Sequence, residues 1–153
     1  MEESVRGPVS GTPFPEMMKQ ALMLQNVDVR TYSPLALAYI GDAVYELLIR
    51  TRVINHGSMQ VNKMHKKSTS LVKAETQANL IKTLMDSLTG EELAVYKRGR
   101  NARAVTTAKH ATMIDYRMAT GFEALIGYLY LTERYERMLE LVHEGLEKIG
   151  EFS

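Results

Sequence analysis

The stretch Leu35-Ala-Leu-Ala-Tyr-Ile-Gly-Asp-Ala-Val-Tyr45 decides how this chain is read. Asp42 is its one ionisable carboxylate. Ser33-Pro34 stands just before it, an N-cap residue followed by the residue whose fixed φ suits the first helical position. Asn55-His56-Gly57 supplies a C-terminal cap downstream, so a helix is expected from Pro34 to about Val53. Ala38 lies four residues before Asp42 and Tyr45 three after, which puts the acid on an apolar helical face. Gly41 beside it permits close approach of another backbone or a ligand.

A second acid stands in the same situation. In Met118-Ala-Thr-Gly-Phe-Glu-Ala-Leu-Ile-Gly-Tyr-Leu-Tyr-Leu131, Glu123 is the only charge. A buried, unpaired carboxylate is costly or shifts its pKa, so each acid is expected to have a partner. Two helices packed face to face could place both around a divalent cation. Oxygen ligands without Cys or an adjacent His favour Mg²⁺ or Mn²⁺ over zinc. The alternative for each acid is a buried Arg or a backbone amide. Glu46, one turn beyond Asp42, has more amphipathic neighbours and reads as solvated or structural.

Other constellations are weaker. Glu140-Leu-Val-His143 has the Glu-x-x-His spacing of di-iron bundles, but those need the motif on two helices and one copy is present. The histidines (His56, His65, His110, His143) share no metal-ligand spacing. No nucleophile elbow, P-loop or dinucleotide fingerprint occurs.

Outward from these two segments the pattern stays helical. A short first helix is expected over Glu16–Asn26 with Met17, Ala21 and Leu24 inward, and further helices over about 60–75 and 77–88. Thr89-Gly-Glu-Glu92 reads as a capping box. The helix it opens is expected to fray near Gly99, with Arg100–Met113 as a basic loop, then the apolar helix to about Thr132 and a last one over Glu133–Ile149. No alternating strand pattern rises above noise. The expectation is an all-α helical bundle: a flexible N-terminal arm over 1–15, which holds three of the four prolines, and one domain over 16–150.

The chain has 153 residues and no cysteine, which excludes a disulfide scaffold, a thiolate metal site and a Cys nucleophile. No basic-then-apolar leader is visible and the most apolar segment is too short and too polar to span a bilayer, so a cytoplasmic protein without membrane contact is expected. The net charge of +1 hides segregation. Residues 30–132 carry 14 Lys or Arg against 8 Asp or Glu, while the two ends together carry −5. Within Lys97–Arg117 six basic residues face Asp115 alone. A nearly neutral chain can therefore present one strongly positive face.

Leu35–Val44 resembles the signature helix of ribonuclease III catalytic domains, L-G-D-[SA]-V at its core, and Phe122-Glu-Ala-Leu-Ile-Gly127 resembles their second acidic motif. Leu37–Asp42, His65-Lys-Lys-Ser68, Lys97-Arg-Gly-Arg-Asn-Ala102 and Tyr116-Arg-x-x-Thr-x-Phe-Glu-Ala-Leu125 are similar to the short Mini-ribonuclease III subfamily. The resemblance covers about residues 30–150. It implies a ribonuclease III-like catalytic domain without an appended double-stranded-RNA-binding domain. It further implies a homodimeric, Mg²⁺-dependent endoribonuclease that leaves 5′-phosphate and 3′-hydroxyl ends, with Asp42 and Glu123 as the essential acids and metal ligands.

Full-length relatives carry further acids where this chain has Leu35, Ala38 and Thr120. Two of the usual four ligands are missing, at Ala38 and Thr120, a reduction the short subfamily shares. Thr120 is a candidate to hydrogen-bond a water on the cation. Duplex RNA is read by shape, phosphate and 2′-hydroxyl contacts, for which Lys66, Lys67, Arg98, Arg100, Asn101, Arg103 and Lys109 are the candidates. The implied substrate is the precursor of large-subunit (23S) ribosomal RNA, with contact to a ribosomal protein as a further expected partnership. A non-catalytic RNA- or ribosome-binding pseudoenzyme is the competing class, favoured by the missing acids and opposed by both retained ones. A carboxylate–metal redox bundle is a distant third.

Overall fold

Ser33 Oγ accepts the Ala36 amide (3.1 Å) with Pro34 at the first helical position, so the long central helix starts where the sequence puts it. A computed structural model describes residues 11–57, 60–102 and 110–152. The helices are α1 (Phe14–Ala21), α2 (Pro34–Asn55), α3 (Val61–Val72), α4 (Ala74–Leu84), α5 (Gly90–Ala102), α6 (His110–Leu131) and α7 (Tyr135–Lys148), with short 3₁₀ turns at Val29–Thr31 and Met85–Ser87. No strand occurs among the described residues, and the fold is all-α. None of these helices is long and apolar enough to cross a membrane.

The two 22-residue helices α2 and α6 share the most extensive packing. Tyr45 meets Phe122 edge to face, centroids 5.2 Å apart, at their contact. Helices α4, α5 and α7 close over α6 with Leu80, Ile81 and Leu84, Val95 and Tyr96, and Leu141 and Leu146 in the core. Burying such side chains supplies roughly 1.5–3 kcal/mol each, the main favourable contribution to the fold.

The capping box at α5 forms as expected. The Thr89 hydroxyl accepts the Glu92 amide (3.1 Å), and Glu92 Oε1 accepts the Thr89 amide (3.0 Å). Glu92 is also buried and takes a two-pronged ion pair from Arg137 of α7 (2.8 and 2.9 Å), which donates in addition to the Ser87 carbonyl at 2.7 Å. One carboxylate thus starts a helix and locks it to another.

Three expectations are corrected. Met17, Ala21 and Leu24 do not point inward: α1 ends at Ala21 and buries no residue, with only Pro15, Met18 and Lys19 half-buried on it. Arg100–Met113 is not one loop. Helix α6 begins at His110, and α5 continues through Ala102 because Gly99 is buried in a close helix crossing that outweighs its weak helix propensity, about 1 kcal/mol. Phe14 and Pro15 belong to α1 rather than to an arm. Residues 1–10 of the expected arm lie outside the described residues, as do Arg103 and Lys109.

Candidate active site at a helix crossing

Helices α2 and α6 cross backbone to backbone. A Cβ at Gly41 would stand 1.8 Å from the Glu123 carbonyl oxygen, and one at Gly127 would stand 2.0 Å from the Leu37 carbonyl oxygen. Only glycine fits either position without moving a helix. This reciprocal contact sets Asp42, next to Gly41, and Glu123 at one crossing.

The same turn of α6 is gripped from a third helix. A Cβ at Gly99 would stand 2.7 Å from Ala124 Cβ and 3.0 Å from Gly121 Cα. Arg98 and Arg100 flank that glycine, so the basic end of α5 is fixed against the turn that carries Glu123. Arg98 is exposed. Arg100 is half-buried, its guanidinium 5.6 Å over the Tyr96 ring and its Nε donating to Asn101 Oδ1 at 3.2 Å. A cleft of about 400 Å³ opens beside them, lined by Tyr96, Arg100, Asn101 and, from α6, Ile114 and Arg117.

The two acids differ in setting. Asp42 is exposed, a correction to the expectation that it is buried on an apolar face and so needs a partner. Ala38 and Tyr45 are buried as expected, but Asp42 sits at the edge where the buried face of α2 meets an outward apolar stripe of Leu35, Tyr39, Ala43 and Leu47. Glu123 is half-buried, and its Oε2 accepts Gln77 Nε2 of α4 at 3.1 Å. A side-chain amide on Glu123 was not among the expected partners. Thr120 is 1% exposed and its hydroxyl donates to the Tyr116 carbonyl (2.9 Å).

Lys66 and Lys67 lie exposed on α3. Lys67 pairs with Glu151 Oε1 at 3.2 Å, a bond that an RNA phosphate would have to displace. Gln77 is passed over by sequence reasoning, and Arg117 enters it only as part of a motif and a basic cluster. Gln77 stands three, four and seven residues before Leu80, Ile81 and Leu84, so its polarity on a core face was a readable signal. Arg117 Nε is buried without a hydrogen-bond partner among the described residues.

Among the described residues no three His, Asp or Glu side chains cluster. Two carboxylates at the crossing, with Asp42 open to solvent, would suit a hard cation that keeps several waters, as Mg²⁺ does.

A family profile spans both acidic segments. The chain belongs to the ribonuclease III domain family, whose profile matches residues 35–134. Proteins named Mini-ribonuclease 3 are among its relatives. The one from Clostridium tetani is 51% identical over 116 residues, 75% of this chain and 77% of that protein. The one from Thermoanaerobacter is 40% identical over 151 residues, 99% of this chain and 100% of that protein. A crystal structure of a protein from Fusobacterium nucleatum, 28% identical, superposes with a TM-score of 0.70 over 80% of this chain and 98% of its own. The expected likeness to the short subfamily is borne out, and family membership supports an endoribonuclease.

Proposed function

We propose that the chain is a Mg²⁺-dependent endoribonuclease that hydrolyses double-stranded RNA to 5′-phosphate and 3′-hydroxyl ends. The observation that carries this reading is the glycine contact of Gly41 on the Glu123 backbone, which sets two acids at one helix crossing. Asp42 and Glu123 would hold the cation, with Mn²⁺ as a substitute. A bound cation there supplies the positive charge that activates a water and offsets charge on the leaving 3′-oxygen.

The chain's own residues bind and orient the duplex. Arg98, Arg100 and Asn101 at the end of α5 contact phosphates close to the scissile bond, because Gly99 between them packs on the Thr120–Ala124 turn. Arg103, Lys109, Lys66 and Lys67 extend the positive surface. The open stripe of Tyr39 and Leu47, 82% and 64% exposed, is the face on which a second copy docks. The homodimer then presents one site per RNA strand. The precursor of 23S ribosomal RNA in the bacterial cytoplasm is the substrate of this reading, with contact to a ribosomal protein as its further partnership.

The test is to incubate the protein with a perfect RNA duplex across Mg²⁺ and Mn²⁺ concentrations, with and without chelator. Metal-dependent internal cleavage is expected. Binding without cleavage under every metal condition would instead identify a pseudoenzyme.

A further inference from the structure

We propose that Gln77 is a positioning residue for Glu123, holding its carboxylate in the orientation that receives the cation. The inference rests on the reading of Asp42 and Glu123 as the metal-binding pair.

Gln77 opens the core face of α4 and is 2% exposed. Both hydrogens of its amide nitrogen are used: Nε2 donates to the Val72 carbonyl at 2.7 Å and to Glu123 Oε2 at 3.1 Å. The amide oxygen is buried with no hydrogen-bond partner among the described residues. Turning the amide over would place that oxygen against two acceptors, so the surroundings dictate the orientation.

A buried orphan acceptor destabilises a fold. Position 77 shares the spacing of Leu80, Ile81 and Leu84, and on stability grounds an aliphatic residue would serve better there. What the amide achieves beyond its own elbow is the bond to Glu123. That carboxylate sits at the end of a side chain with three rotatable bonds, and a fixed donor narrows the orientations open to it.

The tether also ties Glu123 to the helix that carries Asp42. Val72 is the last residue of α3, at the elbow into α4. The neighbouring Leu71 carbonyl accepts the hydroxyl of Tyr45, three residues beyond Asp42 on α2, at 2.9 Å. Tyr45 to Leu71, and Val72 through Gln77 to Glu123, therefore brace the two acid-bearing helices through one elbow. With Ala38 and Thr120 in place of further acids, the cation has few protein ligands, and the placement of each counts for more.

The experiment compares wild type with Gln77→Leu by three readouts: thermal midpoint, Mn²⁺ binding by electron paramagnetic resonance without RNA, and the Mg²⁺ dependence of duplex cleavage. The Leu variant is expected to keep or raise the thermal midpoint, to bind Mn²⁺ about 10-fold or more weakly, and to need correspondingly more Mg²⁺ with KM for RNA unchanged. Wild-type Mn²⁺ affinity and Mg²⁺ dependence in the Leu variant would overturn the proposal alone. Should Gln77→Leu fail to fold, Gln77→Met carries the same measurements, and failure of both to fold would show a structural role and overturn the positioning one. A wild type that neither binds Mn²⁺ nor cleaves removes the metal-pair reading, and this proposal with it.

Discussion

Gly41 lies against the main chain of Glu123 so closely that a Cβ at position 41 would stand 1.8 Å from the Glu123 carbonyl oxygen. Backbone cannot yield as a flexible side chain can, so Gly41→Ala must push α2 and α6 apart. The expected cost is at the upper end of overpacking, about 3 kcal/mol, seen as a lowered denaturant midpoint together with lost cleavage. Gly90→Ala is the control. Nothing lies within 4 Å of a Cβ there, and the exchange should be neutral or stabilise by up to about 1 kcal/mol.

The pair Glu92–Arg137 should dominate the acid response of the fold. The Arg137 guanidinium and the Thr89 amide hold the Glu92 carboxyl below its ordinary value of 4.5. A depressed carboxyl contributes stability above its unfolded pKa and loses it as pH falls through the lowered folded value. Arg137→Met leaves Glu92 buried and unpaired, at a cost of about 2–3 kcal/mol at pH 7, below the figure for a fully buried pair because Arg137 is 30% exposed. Urea midpoints at pH 7 and pH 3 should show the gap between wild type and variant narrowing in acid, as pH falls toward the lowered Glu92 value. A gap that widens in acid would contradict the pairing.

These elements show what the sequence makes legible. The start of α2 rests on Ser33-Pro34 and the start of α5 on Thr89 and Glu92, local signals complete within a few residues. The two acidic segments stand out because each is one charge in an apolar run. Gly99 reads as a helix breaker until its neighbour across the crossing, Gly121, is seen. The apolar spacing of Met17, Ala21 and Leu24 shows an amphipathic face but not whether anything packs on it. Asp42 sits at a face boundary, and whether that edge is covered depends on tertiary packing. Gln77 was visible as a polar residue on a core face, but its partner 46 residues away was not.

The outward stripe of α2 gives a prediction about assembly. Leu47→Asp and Tyr39→Asp place charge on side chains 64% and 82% exposed in the single chain, so they should leave its fold intact. Sedimentation equilibrium should show a dimeric wild type and monomeric variants. Variants that remain dimeric would move the interface elsewhere.

Duplex binding should be salt-dependent through the basic residues of α5. The logarithm of affinity should fall linearly with the logarithm of salt, by about 0.7–0.9 per phosphate neutralised. Arg98→Gln should weaken binding across duplex sequences alike and reduce that slope by about 1. Lys67, paired with Glu151, should give a smaller change than Arg98. A slope unaffected by Arg98→Gln would remove it from the interface.

The central claim, that two acids at one helix crossing form a metal-dependent nuclease site, is tested most directly by Asp42→Asn. The exchange keeps size and removes charge at an exposed position, so folding should be unchanged. Cleavage of a perfect RNA duplex in Mg²⁺ and duplex affinity in chelator are measured side by side with wild type. Cleavage is expected to fall about 100-fold or more with affinity preserved. Cleavage by Asp42→Asn at the wild-type rate would contradict the claim.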